Sequence, residues 1–268
     1  MRRQLHACGA AFTLLTRLPV YGSAVHDADN LARAATYFPL VGAVVGLLGG
    51  LVFAAAAYLW QTPLAVILSI AATVLVTGAF HEDALADALD GFGGGWNRTQ
   101  VLAIMKDSRV GSYALVGVVL VLAAKFVALT TIATPRLEAS LIADPERGVG
   151  AFVRAVTVAH VLARWSSVPL IWRYPYVRPE TKGERPSAGR PLGGAVTLPR
   201  FAAATLFALV VIVVALGARA LPVAAVAVGV TWIAGWYVDR RLGGITGDAL
   251  GAANQLVELS VYLALAVR

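Results

Sequence analysis

The chain has 268 residues, 59% of them hydrophobic and only 14% charged, with a net charge of +7 and a mean hydropathy of +0.74. A sequence this apolar is excluded from folding around one water-soluble core and reads as an integral membrane protein. Its single cysteine, Cys8, excludes an intramolecular disulfide and a thiolate metal cluster.

Met1-Arg2-Arg3 followed by an apolar patch from Ala7 to Leu15 superficially resembles a signal peptide, but Arg17 interrupts it and no small-residue cleavage site follows. The segment is read as retained, forming an amphipathic or half-inserted helix that ends at Leu18-Pro19. Apolar stretches near 38–60, 64–80, 113–133, 151–172, 201–217, 221–238 and 255–267 then predict about seven transmembrane helices in one bundle. If the amino terminus is cytoplasmic, the segments before 38 and at 81–112, 173–200 and 239–254 share the cytoplasmic side. They hold 15 of the 22 Lys and Arg residues, as the positive-inside rule requires. The Arg173 to Arg200 loop, rich in Pro and Gly, is expected to carry little regular structure and to serve either lipid anchoring or substrate binding.

The stretch His81-Glu82-Asp83-Ala84-Leu85-Ala86-Asp87-Ala88-Leu89-Asp90-Gly91 follows the second apolar run. On a helix advancing about 100° per residue, Asp87 lies about 40° from Asp83 and Asp90 about 20° away on the other side, so the three carboxylates share one face, while His81 and Glu82 point elsewhere. Two carboxylates about 5 Å apart repel by about 3 kcal/mol at an effective dielectric near 20, and a hard divalent cation is the simplest compensation. The glycine-rich run after Gly91 would let backbone approach a phosphate or would simply stop the helix.

In Ile104-Met105-Lys106-Asp107-Ser108-Arg109-Val110-Gly111, Lys106 and Arg109 share a face if the segment is helical, with Asp107 and Ser108 beside them; such cations bind phosphate oxygens or anchor the next span. Lys125 and Arg164 fall within predicted spans and should face the protein interior or snorkel, the latter being the expectation for Arg164, one turn after His160. Asp248 lies at the mouth of the last span, within Leu242-Gly243-Gly244-Ile245-Thr246-Gly247-Asp248-Ala249-Leu250-Gly251, where it either completes a metal site or caps a helix.

These three motifs, with Thr16-Arg17-Leu18-Pro19 and Phe38-Pro39-Leu40-Val41-Gly42 in support, resemble the cobalamin synthase family, the adenosylcobinamide-GDP ribazoletransferases. The resemblance runs from about residue 10 to 265 and implies a single membrane-embedded domain over residues 1–268. Ala84 stands where the family often has glycine, and the loop from Tyr174 to Leu192 matches only in general character.

The resemblance implies a polytopic, Mg²⁺-dependent transferase of the cytoplasmic membrane whose active site faces the cytoplasm. It would join adenosylcobinamide-GDP to α-ribazole or α-ribazole 5'-phosphate and release GMP. In that reading Asp83 and Asp87 bind Mg²⁺, Asp90 is a third ligand or the base, and His81 is the alternative base. Lys106, Ser108 and Arg109, with Lys125 and Arg164, contact substrate, and Asp107 or Asp248 holds a second metal. The lipid bilayer is the remaining partner; no nucleic acid is implied, and a homo-oligomer or a complex with other late B12-assembly enzymes is left open. A CDP-alcohol phosphatidyltransferase fits poorly, since Asp90-Gly91 is followed by Phe92-Gly93-Gly94-Gly95 rather than an Ala-Arg pattern. A small secondary transporter would place its acids at mid-bilayer, whereas these fall at a span end.

Overall fold

The computed structural model describes residues 2–20, 28–134, 148–177, 194 and 196–267. Among them every regular element is a helix, and the one strand-like contact is an isolated parallel bridge between Tyr176 and Ile245. The helices are α1 (Arg2–Leu15), α2 (Ala28–Ala34), α3 (Phe38–Leu59), α4 (Thr62–Thr77), α5 (Phe80–Gly94), α6 (Arg98–Ile104), α7 (Ser112–Ala133), α8 (Val149–Arg173), α9 (Leu198–Leu216), α10 (Ala220–Leu242) and α11 (Gly247–Ala266).

Helices occupy all seven predicted apolar stretches, but length and hydropathy alone do not confirm the expected count of about seven crossings. Among the described residues four helical stretches, Asp29–Leu59, Ser112–Ala133, Leu198–Leu242 and Gly247–Ala266, are long and apolar enough to cross a membrane, or five if the bent pair α4–α5 is one span. α4 has only 16 residues, short of about 20 for 30 Å of hydrocarbon. α8, at 25 residues, carries Arg154 and Arg164.

α8 is the axis of the bundle, buried along nearly its whole length and packed against α3, α7, α9, α10 and α11. Its approach to α3 depends on glycine: a Cβ at Gly42 would lie 2.2 Å from the His160 carbonyl oxygen, and one at Gly46 would lie 2.6 Å from the Thr157 Cα. Small residues thus let two backbones touch where the hydrophobic effect cannot drive helix association. α1 buries Ala7, Ala10, Ala11 and Leu15 on one stripe, as the amphipathic reading expects. Residues 178–193 and 195 of the basic loop lie outside the described residues.

Segments predicted to share one side meet at one end of the bundle. Arg241 Nη2 donates to the Gly95 carbonyl at 2.7 Å. Val177 N–H donates to Ile245 O and Ile245 N–H to Pro175 O, both at 2.8 Å. At the opposite end Gly148 N–H reaches Ile132 O at 3.1 Å, and Arg219 Nη2 reaches Leu265 O at 3.4 Å.

Candidate active site

The acid motif is set by a sharp corner. α4 ends in a Schellman closure: Gly78 is left-handed (φ +67°) and donates to Leu75 O at 3.1 Å, while Ala79 donates to Val74 O at 2.9 Å. Ala79 is itself left-handed (φ +57°), the only described residue other than glycine with positive φ, and the chain leaves the corner as α5, bent 87° from α4. The Arg17 side chain packs against Gly78, and Arg17 N–H donates to Val76 O at 2.7 Å, so the Thr16-Arg17-Leu18-Pro19 motif braces this corner.

α5 buries His81, Ala84, Leu85, Ala88 and Gly91 and leaves Asp83 exposed, with Asp87 and Asp90 half-buried. Its buried face rests on α11 so closely that a Cβ on Gly251 would lie 2.4 Å from the Ala84 Cβ. Between positions 251 and 255 of α11 the contacts on α5 move back from Ala84 to Glu82, so the two helices run antiparallel. Asp248 therefore lies toward the end of α5 that carries Asp87. It sits in the first turn of α11, behind the Thr246 cap, whose hydroxyl accepts from Ala249 N–H at 3.1 Å.

The three aspartates do not act alike. Asp83 and Asp90 are seven residues, about 10 Å of helix rise, apart, too far to hold one ion together. Both Asp90 oxygens accept backbone amides at the start of α7, from Gly111 N–H at 2.6 Å and Ala114 N–H at 2.9 Å. Asp90 is thus a capping carboxylate that ties α5 to the start of α7, with one accepted amide on each oxygen. Among the described residues no three His, Cys, Asp or Glu side chains converge to hold an ion. Asp83 and Asp87, one turn apart and oxygen-only, still match what Mg²⁺ requires, since that ion takes one or two carboxylates and fills its octahedron with water and substrate phosphate.

The 105–111 segment is not helical, so Lys106 and Arg109 do not share a helix face. After α6 the chain turns, and Asp107 accepts from Arg109 N–H at 3.1 Å and from the Arg109 guanidinium at 2.6 Å. This local Asx-type closure competes with helix. The hydrogen bonds from Arg109 hold the Asp107 carboxyl down at about 2. Ser108 and Arg109 are exposed and Lys106 is half-buried. The glycine run acts as helix stop and packing surface: a Cβ on Gly91 would lie 2.6 Å from Met105 Cγ, and Gly95 caps α5.

Behind α5 lies a buried charge cluster that the sequence reading only half anticipated. Lys125 Nζ donates to Glu258 Oε1 at 2.8 Å and to Gln255 Oε1 at 2.6 Å. Arg164 Nη1 donates to Glu258 Oε2 at 3.2 Å, and His160 Nδ1 lies 3.6 Å from that oxygen. Gln255 Nε2 in turn donates to Glu82 Oε1 at 3.0 Å. Arg164 does not snorkel: it is 2% exposed, because Glu258 supplies its counter-charge inside the bundle. With Lys125 at 3%, neither cation has surface to offer a substrate phosphate. His81, 2% exposed, is enclosed as well.

A family model, cobalamin-5-phosphate synthase, matches residues 7–266. Curated proteins named adenosylcobinamide-GDP ribazoletransferase are similar over nearly the whole chain. The one from Shewanella amazonensis is 37% identical over 266 residues, covering 98% of this chain and 96% of its own. Those from Leptothrix cholodnii and Ralstonia nicotianae are 41% identical over 260 residues (94% and 92% covered) and 37% identical over 270 residues (97% and 95%). No solved structure matches the chain. With the family model and these relatives spanning both the acid helix and the helix packed behind it, the chain belongs to the cobalamin-5-phosphate synthase family.

Proposed function

We propose that this chain is an adenosylcobinamide-GDP ribazoletransferase of the cytoplasmic membrane, with its acid helix facing the cytoplasm. The reaction joins adenosylcobinamide-GDP to α-ribazole or its 5'-phosphate. The ribose hydroxyl attacks the phosphorus attached to cobinamide, the bond from that phosphorus to the bridging oxygen breaks, GMP leaves with that oxygen, and the hydroxyl proton passes to solvent. Bound Mg²⁺ supplies charge neutralisation to the diphosphate. The observation that carries the reading is the placement of Asp83, exposed one turn before Asp87, on a helix turned 87° out of α4 at an end of the bundle rich in basic residues.

Asp83 and Asp87 are the residues that would hold the ion. Asp90 fixes the start of α7 and with it the loop carrying Lys106 and Arg109, the cations that meet the phosphate oxygens of departing GMP. The test is to incubate the detergent-solubilised chain with adenosylcobinamide-GDP, α-ribazole and Mg²⁺. A corrinoid product of the joined mass with equimolar GMP is expected. Unchanged substrate under conditions where the protein remains folded would overturn the assignment.

A further inference from the structure

Gln255 occupies a position that nothing in the proposed reaction requires. It is 1% exposed, three residues before Glu258 on α11, and its amide faces two groups of opposite charge. Its oxygen accepts from the Lys125 ammonium at 2.6 Å and its nitrogen donates to Glu82 at 3.0 Å. Only one orientation of the amide satisfies both partners, because an ammonium donates only and a carboxylate accepts only. Glu82 Oε2 is buried with no hydrogen-bond partner among the described residues, and Glu82 lines a void of about 10 Å³, room for roughly one water molecule. Among the described residues the bond from Gln255 is therefore the one hydrogen bond that holds this carboxylate, which stands next in sequence to Asp83.

We propose that Gln255 is a positioning residue for the acid helix, its side-chain amide joining Glu82 on α5 to the buried Lys125–Glu258 pair. The proposal rests on the function assigned above. Apolar contacts through Ala84, Leu85 and Ala88 fix which face of α5 is buried but resist small rotations weakly. A directional bond at Glu82 fixes the turn itself, and with it Asp83, about 100° further round the helix. The distance over which this matters is small, since a misplacement of about 1 Å costs up to about 100-fold in rate.

The chemistry of the pair suggests a reciprocal exchange. In Gln255→Glu two carboxylates confront one another, and α5 is pushed off its seat. Glu82→Gln alone keeps a hydrogen-bonding group of the same length, so its turnover stays within about threefold of the parent. The double variant Glu82→Gln with Gln255→Glu restores the pattern with roles reversed, Lys125 and the new amide both donating to residue 255.

Two readouts are taken on the detergent-solubilised full chain: kinetics of GMP release, and hydrogen–deuterium exchange over residues 80–94 without metal or substrate. Gln255→Glu is expected to lower kcat about 10- to 100-fold with KM for α-ribazole changed less than threefold, and to speed exchange in α5. The double variant recovers both. If Gln255→Glu does not accumulate, Gln255→Met, similar in length without either bond, gives the same comparison. Parental kcat and exchange in the Gln255 variants, or no recovery in the double, would sink the proposal. A Glu82→Gln variant as inactive as Asp83→Asn would sink it too, by moving Glu82 into the chemistry. Should the parent form no corrinoid product, the transferase reading fails while the exchange data still judge the strut.

Discussion

At the scale of single residues, Glu258 is the most consequential group in the chain that is not on the reacting face. It answers Lys125 and Arg164 together, and Tyr262 Oη adds a third donor at 3.3 Å. Removing one member of a buried ion cluster leaves uncompensated charge, at about 3–5 kcal/mol. Glu258→Ala should therefore lower the thermal midpoint in detergent sharply, whereas Asp83→Asn, at an exposed position, should abolish GMP release while leaving that midpoint within a degree or two. A Glu258→Ala protein as heat-stable as the parent would show that the cluster holds nothing together. Asp107 makes a different prediction. Its folded pKa of about 2 lies below the ordinary carboxylate value, so whatever stability it contributes is present above about pH 4 and lost as pH falls toward 2. Asp107→Asn should leave the shape of the pH–rate profile between pH 5 and 9 unchanged; a shifted acid limb in that window would contradict the pairing with Arg109.

Among helices, the decisive feature is the corner between α4 and α5. Two consecutive left-handed residues are needed, and only the first is glycine. Gly78→Ala forces a Cβ into the Arg17 side chain at positive φ, and Ala79→Val puts a β-branched residue in the left-handed region; each should destabilise by about 1–2 kcal/mol. Ala79→Gly removes strain and should be neutral or stabilising, which a thermal melt of the three variants ranks directly. Gly251→Val should be worse than its buried volume suggests, because it parts α5 from α11 against the Ala84 Cβ and unseats the acid helix; near-parental GMP release in that variant would mean the close contact is dispensable.

How far these elements could be read from sequence follows from the range of the forces involved. Apolar runs and the shared face of Asp83 and Asp87 were legible, since both are local periodicities. The 87° corner was not, because Gly78-Ala79 looks like any other small pair in an apolar helix and Ala79 gives no sign of its left-handed backbone. Asp90's capping of α7 joins residues more than twenty apart, and no local pattern announces it. Glu258 could have been found: two cations within apolar runs demand a counter-ion, and Gln255, Glu258 and Tyr262 repeat at helical spacing in the last helix. Whether Lys106 and Arg109 share a helix face stays open in the sequence; the Asx closure at Asp107 decides against the helix.

For the whole molecule, the sequence rule for orientation and the three-dimensional contacts meet independently. Charge counting groups residues 81–112, 173–200 and 239–254 on one side. The folded chain joins Gly95 to Arg241 and Val177 to Ile245, bringing described parts of all three together. Positive charge at this end would both hold the anionic inner leaflet and draw a diphosphate toward Asp83. The orientation is tested with a Cys8→Ser background carrying one new cysteine at a time, at the exposed Val110 between α6 and α7 or the exposed Ala218 between α9 and α10. In intact cells whose outer membrane has been opened, an impermeant maleimide should label Ala218→Cys and spare Val110→Cys, and inverted vesicles should give the reverse. The opposite pattern would turn the acid helix away from cytosolic nucleotide and remove the basis for a GDP-linked substrate. Labelling of both positions from one side would instead show that α7 and its neighbours do not carry the chain across the bilayer.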